Sequence, residues 1–529
     1  MPNLNRKKKT ISLFKLKYRK FLQTILEDKF LIPLIVLTLL FGVYSAIYWE
    51  ENYKFYSADL DMASELNVLY NSVRGDMKTF FFSSIHEGYF FIVDHFNLSF
   101  LLFIFIFWLN PINLTYFFLN GIVLAIGSIP IYKISEVRLK SRILALMISL
   151  FYLFNPILIY FLKIKILIRT YSAIPFLLFT FYFYEKKNFK LFTIFLLLSV
   201  FTKENIGLIA ITMGFYLLYK EKNKKWGLMP VILGGISFIV FLAFTFGLYD
   251  YMFPNMGHMQ FFGGEFSKGE NLIITDFIER ILSTSKSTYL IEIFSLFGFV
   301  PLLGIEILFV ASPKLLENLL YGQKINMYLH NNAILIPFLF ISFIYGLERI
   351  KRILDTKTSS GCSKFIMFFI ITLLIVNATS NRFNIFETLL SNNKYISENR
   401  QGLDFGCKTT ISNYNKRWDG LIEIKSKIPE SVGLLVDRSL NLEFAERKYL
   451  YVVKTDWADS LPIFLRGHRE VGYALFNKEL IDCLKEVNIS RASIVEIVEI
   501  TKVNITSLVA SPEWGQIEEN SGFILFKRI

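Results

Sequence analysis

The stretch Ala58-Asp59-Leu60-Asp61-Met62-Ala63-Ser64-Glu65 lies just past a long apolar run, Phe30 to Trp49. Three carboxylates thus gather where a helix leaving a bilayer would surface. They open a polar connection that closes at Asp94-His95-Phe96. This pairing reads as the mouth of an active site, with the rest of the chain as its holder. A short helix over 60–70 places Asp61 and Glu65 on one face at i,i+4, with Asp59 at its start.

The bulk numbers say what kind of holder it is. The 529 residues are 53% hydrophobic and 19% charged, with 56 Phe and a mean hydropathy of +0.44. Several runs approach the roughly 20 apolar residues that cross a bilayer. The chain reads as a polytopic α-helical membrane protein. Its net charge of +13 sits largely in short basic clusters between apolar runs, the placement of cytoplasmic loops and not of a nucleic-acid surface. The basic tail, residues 1–29, includes Arg6-Lys7-Lys8-Lys9. It predicts a cytoplasmic N-terminus, a retained first helix and an exterior loop over 50–96.

Beyond that loop, Leu98 to Leu109 is apolar but short. Twelve helical residues reach about 18 Å against a core of roughly 30 Å, so this piece reads as re-entrant or interfacial. Spans are expected over 114–132, 143–162, 173–184, 191–201, 206–219 and 228–248, with basic residues at their inner ends. A second exterior loop covers 249–287 and contains a helix over 274–282; it is rich in Gly, Met and Phe, a composition that suits a lid or a plain connector. Tyr289 to Ser312 contains Pro301. The inner basic cluster Arg349-Ile350-Lys351-Arg352 requires an even number of crossings there, which predicts a broken hairpin and brings Met327 to Asn332 to the active-site side. Spans over 335–347 and 365–376 complete about 11 crossings.

From residue 381 the chain becomes charged. Strands over 434–436, 450–453 and 523–526 and helices over 418–427 and 479–487 predict an exterior α/β domain, 381–529, beyond a transmembrane domain of 30–380. Cys362 stands near a span, while Cys407 and Cys483 fall in the tail, where a disulfide and two free thiols are both open. Neither a CxxC pair nor a metal spacing is present.

One connection breaks the charge rule. Lys163, Lys165 and Arg169 fall outside by the span count, where cations are disfavoured. They read either as snorkelling side chains or as a cationic lining for a phosphate, with Lys165 and Arg169 on one face. The exterior inventory is then Asp59, Asp61, Glu65, His86, Asp94, His95, Lys165, Arg169, Lys203, Glu204, His258 and His330. This mixture suits a reaction at a phosphate-bearing lipid: a carboxylate deprotonates an acceptor hydroxyl, and cations neutralise the departing phosphate. Asp59 and Asp61 fit a divalent cation or a simple helix start. Lys203-Glu204 fits the phosphate site or a local ion pair.

Asp59-Leu60-Asp61 with Glu65, Asp94-His95-Phe96-Asn97-Leu98, Phe201-Thr202-Lys203-Glu204-Asn205, and His330 with Ile336-Pro337-Phe338-Leu339-Phe340 together resemble the DUF2079 family of predicted membrane proteins. That family looks like part of the GT-C glycosyltransferase superfamily. The resemblance covers about residues 50–350, and more loosely Ile428-Pro429 and Arg447-Lys448-Tyr449. The family's Lys-Glu-Asp signature is Lys203-Glu204-Asn205 here. Its Asp-Phe-His-Pro stretch has no match, and Ile166 to Arg169 stands there instead.

The resemblance implies a GT-C-like fold and an inverting transfer from a polyprenyl-phosphate-linked sugar to a glycan, lipid or protein acceptor, on the exoplasmic side of a prokaryotic cell membrane. It implies Asp59 as base, with Asp61 and Glu65 beside it. His95, Lys165, Arg169, Lys203, Glu204 and His330 would bind the substrate or its phosphate. Two other classes compete. A transporter or flippase would use Glu292 and Glu306 within the hairpin. A non-catalytic envelope assembly protein would use the exterior tail alone.

Overall fold

The computed structural model describes residues 28–52, 60–74, 80, 82–83, 85, 89–90, 97–164, 167–243, 284–320, 330–355, 362–379, 411–437, 440, 443–453, 469–477, 505–520 and 522–529. The predicted elements at 274–282 and 479–487, and the basic tail before residue 28, lie outside this set, as do Asp59, His86, Asp94, His95, Lys165, His258, Cys407, His468 and Cys483.

The first span is α1 (Leu31–Asn52). The carboxylate stretch forms α2 (Leu60–Val73), three residues longer than expected. A two-stranded pair, β1 (Phe82–Ser83) and β2 (Tyr89–Phe90), follows. A 3-10 turn, Leu98–Phe100, leads into α3 (Leu101–Leu109). Phe103, Ile104 and Phe107 of α3 are buried, and Tyr70 of α2 meets Phe107 edge to face at 5.1 Å. Phe105, Trp108 and Leu109 are exposed. A short helix, apolar on both faces and capped by an exposed Trp, suits an interfacial position, one of the two expected.

Next come α4 (Asn113–Ala125), α5 (Ser128–Leu139), α6 (Arg142–Leu153), α7 (Pro156–Ile164) and the single turn α8 (Ile168–Tyr171). They are followed by α9 (Ala173–Glu185), α10 (Phe189–Val200), α11 (Ile206–Lys220) and α12 (Lys225–Ala243). The chain then bends by 91° between α13 (Thr284–Ser295) and the segment formed by the 3-10 turn Val300–Gly304 and α14 (Ile305–Val310). Gly298 and Phe299 turn the corner in left-handed conformation, φ +56° and +59°. The stretch expected as a broken hairpin is thus a pair of helical segments sharply bent at Gly298-Phe299. The amphipathic α15 (Ser312–Leu320) and a 3-10 turn, His330–Leu335, return to the start of α16 (Ile336–Asp355), and α17 (Cys362–Thr379) follows.

Among the described residues four helices are long and apolar enough to cross a membrane, or six when each bent pair is one span; α10, α11 and most of α17 are apolar but shorter. Close packing holds them together. A Cβ at Gly234 of α12 would stand 2.5 Å from the Gly207 carbonyl of α11, and one at Gly214 would stand 2.7 Å from the Gly227 carbonyl. Small residues at these levels let two backbones touch, the main source of helix adhesion where lipid replaces water. Phenylalanines fill the gap between α6, the hairpin and α16: Phe297 and Phe340 lie 4.9 Å apart, and Phe151 reaches both at 5.6 Å.

The C-terminal part is α/β. Helix α18 (Ile411–Lys427) packs on a five-stranded sheet of β3 (Gly433–Val436), β4 (Leu450–Val452), β5 (Val471–Asn477), β6 (Trp514–Asn520) and β7 (Phe523–Arg528), in the order β4-β3-β5-β7-β6. β4, β3 and β5 are parallel; β7 and β6 add antiparallel strands. Strands β5 and β6 were not expected from the sequence. β6 alternates poorly because it is a half-exposed edge strand.

Candidate active site

Glu65 decides how the carboxylate stretch after α1 is used. It is fully buried. Tyr116 of α4 donates its hydroxyl to Oε2 at 3.0 Å, and the Ile168 backbone N–H donates to the same oxygen at 2.9 Å. The Arg169 N–H reaches Oε1 at 3.3 Å, and Arg169 Nε pairs with that oxygen at 3.3 Å. One carboxylate therefore satisfies the orphan N–H groups that open α8 and fixes the side chain that α8 carries.

Arg169 is also nearly inaccessible. Its Nη2 donates to Asp61 Oδ1 at 3.1 Å, while the Asp61 side chain keeps 34% of its exposure. The i,i+4 spacing expected of Asp61 and Glu65 thus acts as a fork that grips one guanidinium, with the outer tine wet and the inner tine dry. Burial pushes the Glu65 carboxyl up to about 7, against the opposing pull of Arg169 and of its hydrogen-bond donors.

The three cations that broke the charge rule divide. Lys163 is buried against aromatic rings, its ammonium 5.0 Å from the Tyr48 ring and 5.9 Å from that of Tyr44. Its head is held among rings and not carried out to water, so it does not follow the snorkelling reading; Arg169 joins the carboxylates. Lys165 lies outside the described residues.

Lys203 and Glu204 sit in the turn between α10 and α11, and both are buried. Burial pushes the Lys203 ammonium down, and Glu204 opposes this; Lys314 and Arg169 push it further down and Glu317 holds it up. Of the groups around the first-loop acids, Arg169 is thus the one whose charge acts on Lys203. Lys314, on α15, is buried and pairs with Glu317 at 2.5 Å, and Asn205 donates to Glu317 at 3.1 Å.

Beside them Tyr289 donates to Asn332 at 2.8 Å, and Asn318 donates to Asn332 at 2.6 Å and to Tyr289 at 2.9 Å. Buried Lys286 reaches the Asn318 carbonyl at 3.5 Å. Asn332 lies in the 3-10 turn that His330 opens, and this turn packs on α8. The backbone of His330 is thereby placed next to the Arg169 element.

Sequence reading missed Tyr116, Lys286, Lys314, Glu317 and Asn318. A signal for the lysines existed: like Arg169 and Lys203, they stand beside apolar segments at places that the span count expects to be exterior, against the charge rule. Among the described residues no group of three His, Cys, Asp or Glu is placed to hold a metal. Asp61 takes its cation from the protein itself. Glu306, a feature of the transporter reading, pairs with Arg349 at 2.7 Å.

A helical membrane bundle with a buried polar site beside an α/β domain defines the class. The chain belongs to the DUF2079 family of predicted membrane proteins, whose model matches residues 51–462. Among solved structures, ArnT from Cupriavidus metallidurans bound to undecaprenyl phosphate matches with a TM-score of 0.50 at 10% identity, over 94% of this chain and 98% of that one. The apo oligosaccharyltransferase of Archaeoglobus fulgidus matches with a TM-score of 0.45 at 11% identity, over 85% of this chain and 70% of that one. At such identities the likeness is one of fold. Among curated protein sequences none matches the chain.

Proposed function

We propose that this protein is an inverting glycosyltransferase that moves a sugar from a polyprenyl-phosphate donor to an acceptor at the exoplasmic face. The observation that carries the reading is the grip of Asp61 and Glu65 on a buried Arg169 in the region that Lys203 faces. Buried cations held in place are the groups that stabilise charge developing on a leaving phosphate. The ArnT structure contains a ligand of the proposed donor's lipid class, undecaprenyl phosphate.

In this reading the acceptor hydroxyl attacks the anomeric carbon as the bond to the phosphate oxygen breaks. The hydroxyl proton passes to a carboxylate, and polyprenyl phosphate leaves with its added charge opposite Arg169 and Lys203. Asp61 and Glu65 already hold the guanidinium and aim it, so the remaining carboxylate of the stretch, Asp59, takes the proton. His95, Lys165, Glu204 and His330 complete the substrate-binding face. A divalent cation at Asp59 and Asp61 is the variant of this reading that chelator treatment tests.

The experiment is sugar transfer in membranes supplied with radiolabelled polyprenyl-phosphate sugars. Lys203→Ala is expected to weaken donor binding without loss of folded protein. Unchanged donor affinity would remove Lys203 from the phosphate site.

A further inference from the structure

Helix α2 has a second face. Asn67, Asn71 and Arg74 follow one another at i, i+4 and i+7, nearly opposite Glu65 on a wheel of 3.6 residues per turn. That face meets the α/β domain. The buried Asn67 amide donates to the Ala445 and Arg447 carbonyls, both at 2.8 Å. Arg74 donates to the Glu446 carbonyl between them. The row is joined within itself: Asn71 donates to Asn67 Oδ1 at 3.2 Å, and Arg74 donates to Asn71 Oδ1 at 2.8 Å.

Residues 443–446 form a turn whose terminal carbonyls need donors, as at any helical end. Here all three come from Asn67 of α2 and from Arg74 just past its end, more than 370 residues away in sequence. The turn is itself anchored in its own domain. Arg447 donates to the Ile428 carbonyl at 3.3 Å, to the Val432 carbonyl at 3.0 Å and to the Pro429 carbonyl. Lys425 pairs with Glu446 at 2.6 Å and Glu443 at 3.4 Å. Strand β4, four residues on from Glu446, is paired in the parallel sheet.

We propose that the α/β domain is a positioning clamp for the active site: through Asn67 and Arg74 it fixes the register and tilt of α2, and so the place of Asp61 and Glu65 around Arg169. The geometry is a lever with one rigid arm. Donors on one face of a 14-residue helix are locked to three consecutive carbonyls, and the grip on the guanidinium is on the other face. The clamp stands on these contacts, and its effect on donor binding rests on the glycosyltransferase reading.

Asn67→Asp tests it. The change is isosteric, but it replaces an amide donor with a carboxylate facing two carbonyls. Hydrogen–deuterium exchange on the full chain in nanodiscs reads the clamp, and undecaprenyl phosphate serves as the probe for binding. Exchange over 60–73 is expected to rise about tenfold, with 206–243 unchanged, and probe affinity to fall about tenfold. Arg74→Ala, at the exposed end of the row, is expected to give a smaller change in the same direction. It carries the test if Asn67→Asp does not fold, and Arg74→Lys is expected to restore part of it.

Unchanged exchange over 60–73 overturns the clamp, as does a rise spread evenly over 206–243. Raised exchange with unaltered binding of the probe overturns the positioning role. A wild-type chain that binds no undecaprenyl phosphate overturns the glycosyltransferase reading instead, and exchange alone then decides the clamp.

Discussion

Arg169 and Glu65 illustrate how a buried pair acts as one unit. Deleting one partner strands a charge away from water, a loss of about 3–5 kcal/mol. Arg169→Ala is therefore expected to lower thermal stability by that order and to abolish donor binding, and a melt of the purified chain checks the first part. Glu65 also gives a pH signature. Its folded value, about 7, lies above the unfolded carboxylate range, so the folded chain holds the proton more tightly. Its stabilising contribution is complete below about pH 4.5 and is lost as pH rises to about 7. A Glu65→Gln chain is expected to lack that decline between pH 4.5 and 7 in paired melting curves. The sequence made the fork legible through i,i+4 spacing and through the three misplaced cations. It did not show which cation the fork would hold, because Lys163 and Arg169 differ only in tertiary neighbours: tyrosine rings for one, carboxylates for the other.

At the scale of elements, the long apolar helices, the short apolar α3 and the break near Pro301 were readable from apolar length and composition. The close contacts between helices were not, since a glycine in an apolar run does not announce its partner. Gly214→Val is expected to force α11 and α12 apart, at a cost of about 1–3 kcal/mol in detergent melts. The reason is that a Cβ there already lies 2.5 Å from Val231 and 2.7 Å from the Gly227 carbonyl. Gly235 on α12 has open space beside it, so Gly235→Ala is expected to leave the melt unchanged. Strand β5 escaped sequence reading because seven residues with nearly continuous burial look alike as strand or helix; only the parallel partner β3 settles it.

The whole molecule is expected to have one orientation. The α/β domain and the Asp61–Arg169 site share the exterior side, and Arg352 lies on the cytoplasmic side. A cysteine placed at Glu513 is expected to react with impermeant maleimide in intact cells. One placed at Arg352, whose side chain is 73% exposed, is expected to react only after lysis. The central claim is that an exterior carboxylate drives sugar transfer against a buried cationic site. Transfer of radiolabelled sugar from polyprenyl phosphate, measured in membranes carrying wild-type or Asp59→Asn chains at equal abundance, tests it most directly. Wild-type membranes are expected to incorporate label, and the variant to lose at least about a hundredfold of it. Equal incorporation by the two chains, or none by wild type with any donor, would contradict it.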